Sequence, residues 1–107
     1  MVEIVFNVIY MIYTIEEIKQ MAIPIAIKYD VDSMSLFGSY ARDEANDDSD
    51  IDFLIDRGNI KSLLDYIAFV QDLEDVFQCH VDVVSNGIND KSFLDLIKRD
   101  EVLIYEK

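Results

Sequence analysis

Residues 38–52 read GSYARDEANDDSDID, a Gly-Ser pair followed by an acid-heavy run that closes on Asp50-Ile51-Asp52. Seven carboxylates fall between Asp43 and Asp56, yet apolar residues flank the run on both sides. A solvated loop accommodates acids at this density without difficulty. A metal site that handles phosphate requires part of them. Position along the chain separates the two readings.

Gly38 closes a short predicted strand that starts near Ser35. Glycine lets a ligand approach the backbone closely, and a helical turn after it points free N–H groups outward. Taken alone, Gly-Ser after a strand usually marks a turn. The spacing adds to it, because positions 40–49 suffice for one helical turn and a return loop to the neighbouring strand. Residues 50–55, DIDFLI, alternate and then run apolar, as a well-buried strand does. On such a strand Asp50 and Asp52 leave one face, while Ile51, Phe53 and Ile55 enter the core.

Two carboxylates side by side at the lip of a core repel and raise each other's pKa. A divalent cation removes that conflict, and carboxylate oxygens are the ligands Mg²⁺ prefers. Asp82, within His80-Val-Asp-Val-Val84, stands mid-strand among β-branched residues, where an unpaired charge is costly. It reads either as an edge-strand aspartate facing water or as a third ligand beside Asp50 and Asp52. Three carboxylates can hold two Mg²⁺ about 3.5–4 Å apart, the arrangement used for in-line phosphoryl transfer.

The rest of the chain supplies a frame for these residues. Thr14-Ile-Glu-Glu17 has the form of a capping box. Ile15, Ile18, Met21, Ala22 and Ile25 follow at helical spacing, with Pro24 expected to kink or split the helix. Asn59 is a plausible N-cap for a helix over 60–77, with Leu63, Leu64, Ile67, Val70, Leu73 and Phe77 on its buried stripe. Residues 80–84 form a third strand, 91–99 a last helix, and VLIY near the C-terminus a short edge strand. The order predicts an α/β (α+β) domain, a small mixed sheet with flanking helices.

With 107 residues the chain holds one core, burying roughly two thirds of its unfolded surface. A net charge of −13 argues against a nucleic-acid backbone as partner and favours cations or a basic protein surface. The single Cys79 fits a reducing cytoplasm. Segment 1–13, MVEIVFNVIYMIY, is too short to span a bilayer and lacks the basic start and cleavage site of a signal peptide. It reads as an apolar extension of the domain over 14–107, or as a natural start at Met11.

GSYARDEANDDSDID followed by VDVV resembles the DNA polymerase β-type nucleotidyltransferase superfamily, whose motif is Gly-Ser, ten residues, Asp-x-Asp, then a later strand aspartate. The short length resembles its minimal nucleotidyltransferase (MNT) branch, whose members pair with HEPN proteins in toxin–antitoxin operons. The resemblance spans all but the first dozen residues. It implies that Gly38 and Ser39 grip a triphosphate, that Asp50 and Asp52 bind metal, and that Asp82 contacts a metal and assists deprotonation of the attacking hydroxyl. It further implies a cytoplasmic, Mg²⁺-dependent enzyme that moves AMP from ATP to a tyrosine of a HEPN ribonuclease toxin. The alternatives are a binding-only antitoxin that masks the toxin and a transferase acting on a small molecule.

Asp43 departs from the family, where glycine is common, though aspartate tolerates a positive φ better than most residues. Arg42 could reach a phosphate or pair with a neighbouring acid, and Asp56 with Arg57. His80 reads as an ordinary strand histidine more readily than as a partner behind a metal ligand. Zinc has no support from so few His and Cys residues.

Overall fold

The computed structural model describes residues 12–87 and 90–107. The apolar extension expected over 1–13 therefore falls outside them except for Ile12 and Tyr13. Helix α1 covers Ile15–Tyr29 and opens on the expected capping box. The Glu17 N–H donates to Thr14 Oγ1 at 3.0 Å, and the Thr14 N–H to Glu17 Oε1 at 2.8 Å. The helix runs through Pro24 without splitting. Ile18 and Ala22 before the proline and Ala26 after it are all fully buried, so packing anchors both halves. Tertiary burial here outweighs the lost hydrogen bond.

Strand β1, Ser33–Phe37, leads into a single helical turn, α2, Gly38–Ala41. Strand β2 is Ile51–Asp56, helix α3 Leu63–Phe77, strand β3 Val81–Ser85, helix α4 Lys91–Asp100 and strand β4 Val102–Glu106. The four strands lie in the order β3-β2-β1-β4. Strand β1 is antiparallel to both β2 and β4, whereas β2 and β3 are parallel and joined through α3. Asp50 precedes β2 by one residue and His80 precedes β3 by one.

One face of the sheet carries Met34, Leu36, Ile51, Phe53 and Ile55, all fully buried in a cluster with Ile18, Ala22 and Ala26 of α1 and Phe69, Leu73 and Phe77 of α3. The opposite face is covered in part by α4, whose Phe93, Leu96 and Ile97 line a cavity with Phe37 and Gly38. The acidic end of β2 sits where this second face is open.

Helix α3 corrects the sequence reading. It starts at Leu63, and its N-cap is Ser62, whose Oγ accepts from the Asp65 N–H at 3.1 Å. Asn59 instead donates its side chain to Asp30. Of the expected stripe, Leu73 and Phe77 are buried, but Leu63 is 73% exposed and Leu64 78%. The inward row is Tyr66, Phe69, Leu73 and Phe77, with the Tyr66 hydroxyl donating to the Val83 carbonyl at 2.7 Å. Two apolar rows fit the same periodicity, and the row carrying aromatics fills more of the space under the sheet.

This assignment is open to test by urea unfolding. Leu63→Gln and Leu64→Gln are expected to change stability by less than about 0.5 kcal/mol each, as exposed substitutions do. Phe69→Ala should cost about 3–5 kcal/mol through its cavity.

Candidate active site

The parallel register of β2 and β3 places Asp52 directly opposite Asp82. On its other side Asp52 pairs with Phe37, the last residue of β1, so Gly38 comes to lie against its carboxylate. Gly38 has φ +76°, and a methyl at its Cα would run into the Asp52 side chain. Both facts demand glycine there: one is a left-handed backbone, the other a close approach. Helix α2 follows at once, closed by the Arg42 N–H on the Gly38 carbonyl at 3.1 Å.

The chain then turns back through Asp43, which takes φ +59°. That is the left-handed conformation a glycine would adopt without strain, and aspartate holds it with little penalty. The acid-rich return loop is tied by its own polar groups. Ser49 Oγ accepts from the Asn46 N–H at 2.8 Å, and Asn46 Oδ1 from the Asp48 N–H at 2.9 Å. Asp47 and Asp48 are exposed on it, as a solvated loop requires.

Asp50, Asp52 and Asp82 thus meet at one end of the sheet, with Gly38 against the Asp52 carboxylate. The cluster shows its charge conflict. Asp52 is pushed up to about 6, first by partial burial, then by a hydrogen bond with the Asp82 carboxyl and repulsion from Asp82 and Asp50. A divalent cation between these carboxylates would remove their mutual repulsion. Asp50, His80 and Asp82 each offer a ligand atom within 4.8 Å of the others, a set able to hold a divalent ion.

His80 and Glu74 are the residues that sequence reasoning undervalued or missed. His80 Nε2 lies 2.8 Å from Asp82 Oδ1 and Nδ1 lies 3.1 Å from Glu74 Oε2. These contacts raise the imidazole pKa, chiefly through the hydrogen bond with Asp82. The two-residue step from His80 to Asp82 was the available signal. Glu74 gave none, because only the fold brings the last turn of α3 to the start of β3, where its carboxylate also accepts from the Val81 N–H at 3.2 Å.

Arg42 is placed among acids, with Nε 3.6 Å from Glu44 and a terminal nitrogen 3.7 Å from Asp100. Arg57 does not take up the expected pairing with Asp56. It donates Nε to the Ile60 carbonyl at 3.2 Å and lies over the Tyr66 ring. A cavity of about 210 Å³ adjoins Gly38 and Arg42 under α4. A larger one, about 490 Å³, opens between α3 and the far half of β3 beside Arg57 and Tyr66, away from the acids.

The electrostatics fix how stability should vary with pH. A carboxyl raised from 3.8 to about 6 on folding stabilises the fold while protonated, and that contribution is lost as pH rises through 6. The raised His80 acts in the same direction. Asp30 and Asp72 are shifted down by Lys107 and Lys28, respectively, so both are already ionised by pH 5. Metal-free protein is therefore expected to melt lower at pH 8 than at pH 5. Asp52 accounts for about 1–2 kcal/mol of the loss after allowance for solvent screening. In chelator-treated samples Asp52→Asn should flatten that slope.

Comparison with known proteins places this geometry. The family model described as polymerase beta, nucleotidyltransferase, matches residues 17–107. The chain is 48% identical over 71 residues to MJ0435 of Methanocaldococcus jannaschii, a proposed protein adenylyltransferase, covering 66% of this chain and 76% of that one. It is 34% identical over 77 residues to protein adenylyltransferase MntA of Thermococcus cleftensis, covering 72% and 78%. Among solved structures, a toxin–antitoxin crystal structure with AMP-PNP superposes with a TM-score of 0.72 at 16% identity, over 83% of this chain and 73% of that one. A tri-AMPylated Shewanella oneidensis HEPN toxin in complex with MNT antitoxin gives 0.58 at 17% identity, over 83% and 73%. At those identities the structural likeness speaks for the fold alone. Motif, fold and family match agree: the chain belongs to the polymerase beta nucleotidyltransferase family, in its minimal (MNT) branch.

Proposed function

We propose that the protein is an antitoxin that transfers AMP from ATP to a tyrosine hydroxyl of a cognate HEPN-type toxin, with Mg²⁺ as cofactor, two ions being expected. The observation that carries this reading is the register that sets Asp52 opposite Asp82 and against Gly38. Asp50, Asp52 and Asp82 would hold the metal. Gly38 and Ser39 would meet the triphosphate at the start of α2, and Arg42 would join them by exchanging its loose pairs with Glu44 and Asp100 for a phosphate oxygen.

Mg²⁺ held by Asp50, Asp52 and Asp82 would neutralise the triphosphate and the pyrophosphate that departs. The tyrosine oxygen forms a bond to the α-phosphorus, the α–β bridging P–O bond breaks, and the hydroxyl proton passes to Asp82. With a cation bound, Asp52 would serve as a charged ligand. The net charge of −13 suits docking on a basic, RNA-cleaving partner. Asp43, the departure from the family pattern, adopts the backbone angle that its position needs, so it leaves the turn intact.

The test is to incubate the chain and its operon neighbour with ATP and Mg²⁺ and weigh the neighbour intact. Mass gains in whole AMP units are expected, reduced at least about 100-fold in Asp50→Asn and Asp52→Asn. An inactive but unmodified neighbour in a tight complex would instead establish masking. Gly38→Ala should also lower transfer about 100-fold, since it displaces Asp52 by a fraction of an ångström or more. Its melting curve would confirm that the sheet still forms.

A further inference from the structure

The catalytic carboxylates are not alone at their end of the sheet. The donor set with the closest mutual approach is Asp50, His80 and Asp82, and it includes a nitrogen. His80 is the only histidine of the chain. Its ring is held from behind: Glu74, on the last turn of α3, sits 3.1 Å from Nδ1, which leaves Nε2 facing Asp82 at 2.8 Å. A carboxylate on one ring nitrogen with the other turned toward a ligand set is the arrangement that orients metal-binding histidines. Here it arises from two separate elements, a helix end and a strand start.

Resting on the reading of Asp50 and Asp82 as metal ligands, we propose that His80 Nε2 is itself a ligand of that metal, positioned by Glu74. The site then holds a divalent transition ion such as Mn²⁺ more tightly than its carboxylates alone would, while still taking the Mg²⁺ that transfer uses. Two physical points carry this. First, donor atoms within 4.8 Å of one another need only small side-chain rotations to reach the roughly 2.1 Å that each requires around one ion. Second, Mg²⁺ favours oxygen and gains little from imidazole. Mn²⁺ and the ions after it in the first-row series accept imidazole readily. An oxygen-only site has no reason to rank these ions by nitrogen affinity; a site with His80 in it does. Glu74 is a positioning residue in this scheme, holding His80 while its carboxylate also accepts from the Val81 N–H at the start of β3.

The inference is tested by electron spin-echo spectroscopy on tag-free protein loaded with Mn²⁺ alone. Because the chain has one histidine, imidazole nitrogen modulation can come only from His80. The modulation is expected in the native chain and absent from His80→Gln, whose Mn²⁺ affinity should fall at least about 10-fold while Mg²⁺ affinity stays within about 2-fold. Glu74→Gln should keep the modulation but weaken Mn²⁺ binding about 10-fold. Bound Mn²⁺ with no imidazole modulation, failure to bind Mn²⁺, or equal losses for both metals in His80→Gln would each overturn the proposal. Those results leave AMP transfer to be judged by its own mass assay. Conversely, modulation without any AMP transfer would uphold His80 as a ligand and remove the transferase reading.

Discussion

Two aspartates of like charge face each other across a parallel strand pair, and the surrounding structure has to hold them there. Strands β2 and β3 are parallel, so α3 must carry the chain from one end of the sheet to the other before β3 can begin. That crossover is what buries Phe69, Leu73 and Phe77 against Phe53 and Ile55. The core and the acid cluster are therefore two results of one connection. The packing energy on the inner face holds in place a repulsion at the sheet end that neither strand would tolerate alone. Burial and this repulsion together push the Asp52 carboxyl up to about 6.

Gly38 makes the arrangement tighter. The residue that follows β1 cannot carry a side chain, because the Asp52 carboxylate fills the space a methyl would take. A left-handed glycine at that point turns the chain into α2 instead of extending the strand. The same atom-scale fit thus serves the turn and the site.

Which parts of this could be read from the chain follows from how local each signal was. The capping box at Thr14, the strand read over residues 50–55 and the Gly-Ser to Asp-x-Asp spacing rest on neighbours in sequence, and the structure has them, the strand one residue later at 51–56. Alternation placed Asp50 and Asp52 on one face before any register was known, whereas the meeting with Asp82 was implied only by the family motif. Helix α3 was harder. Its sequence offers two apolar rows, and only the shape of the space under the sheet chooses the one bearing Phe69 over that bearing Leu63 and Leu64. Pro24 argued for a kink or a split; the helix does not split, and burial on both sides anchors its two halves. Glu74 behind His80 had no local signature at all, since their contact depends on where a helix ends relative to a strand.

The outward row of α3 has a colloidal consequence. Among the described residues Leu63, Leu64 and Ile67 stand in water over half or more of their surface, and Leu63 lines the cleft between α3 and β3. The field of the net charge of −13 opposes contact between copies through this greasy ridge. That field fades near the isoelectric point of about 4.1, where the ridge remains and mutual repulsion does not. That opposition is electrostatic, strongest in dilute buffer at neutral pH and weakest in mild acid or concentrated salt.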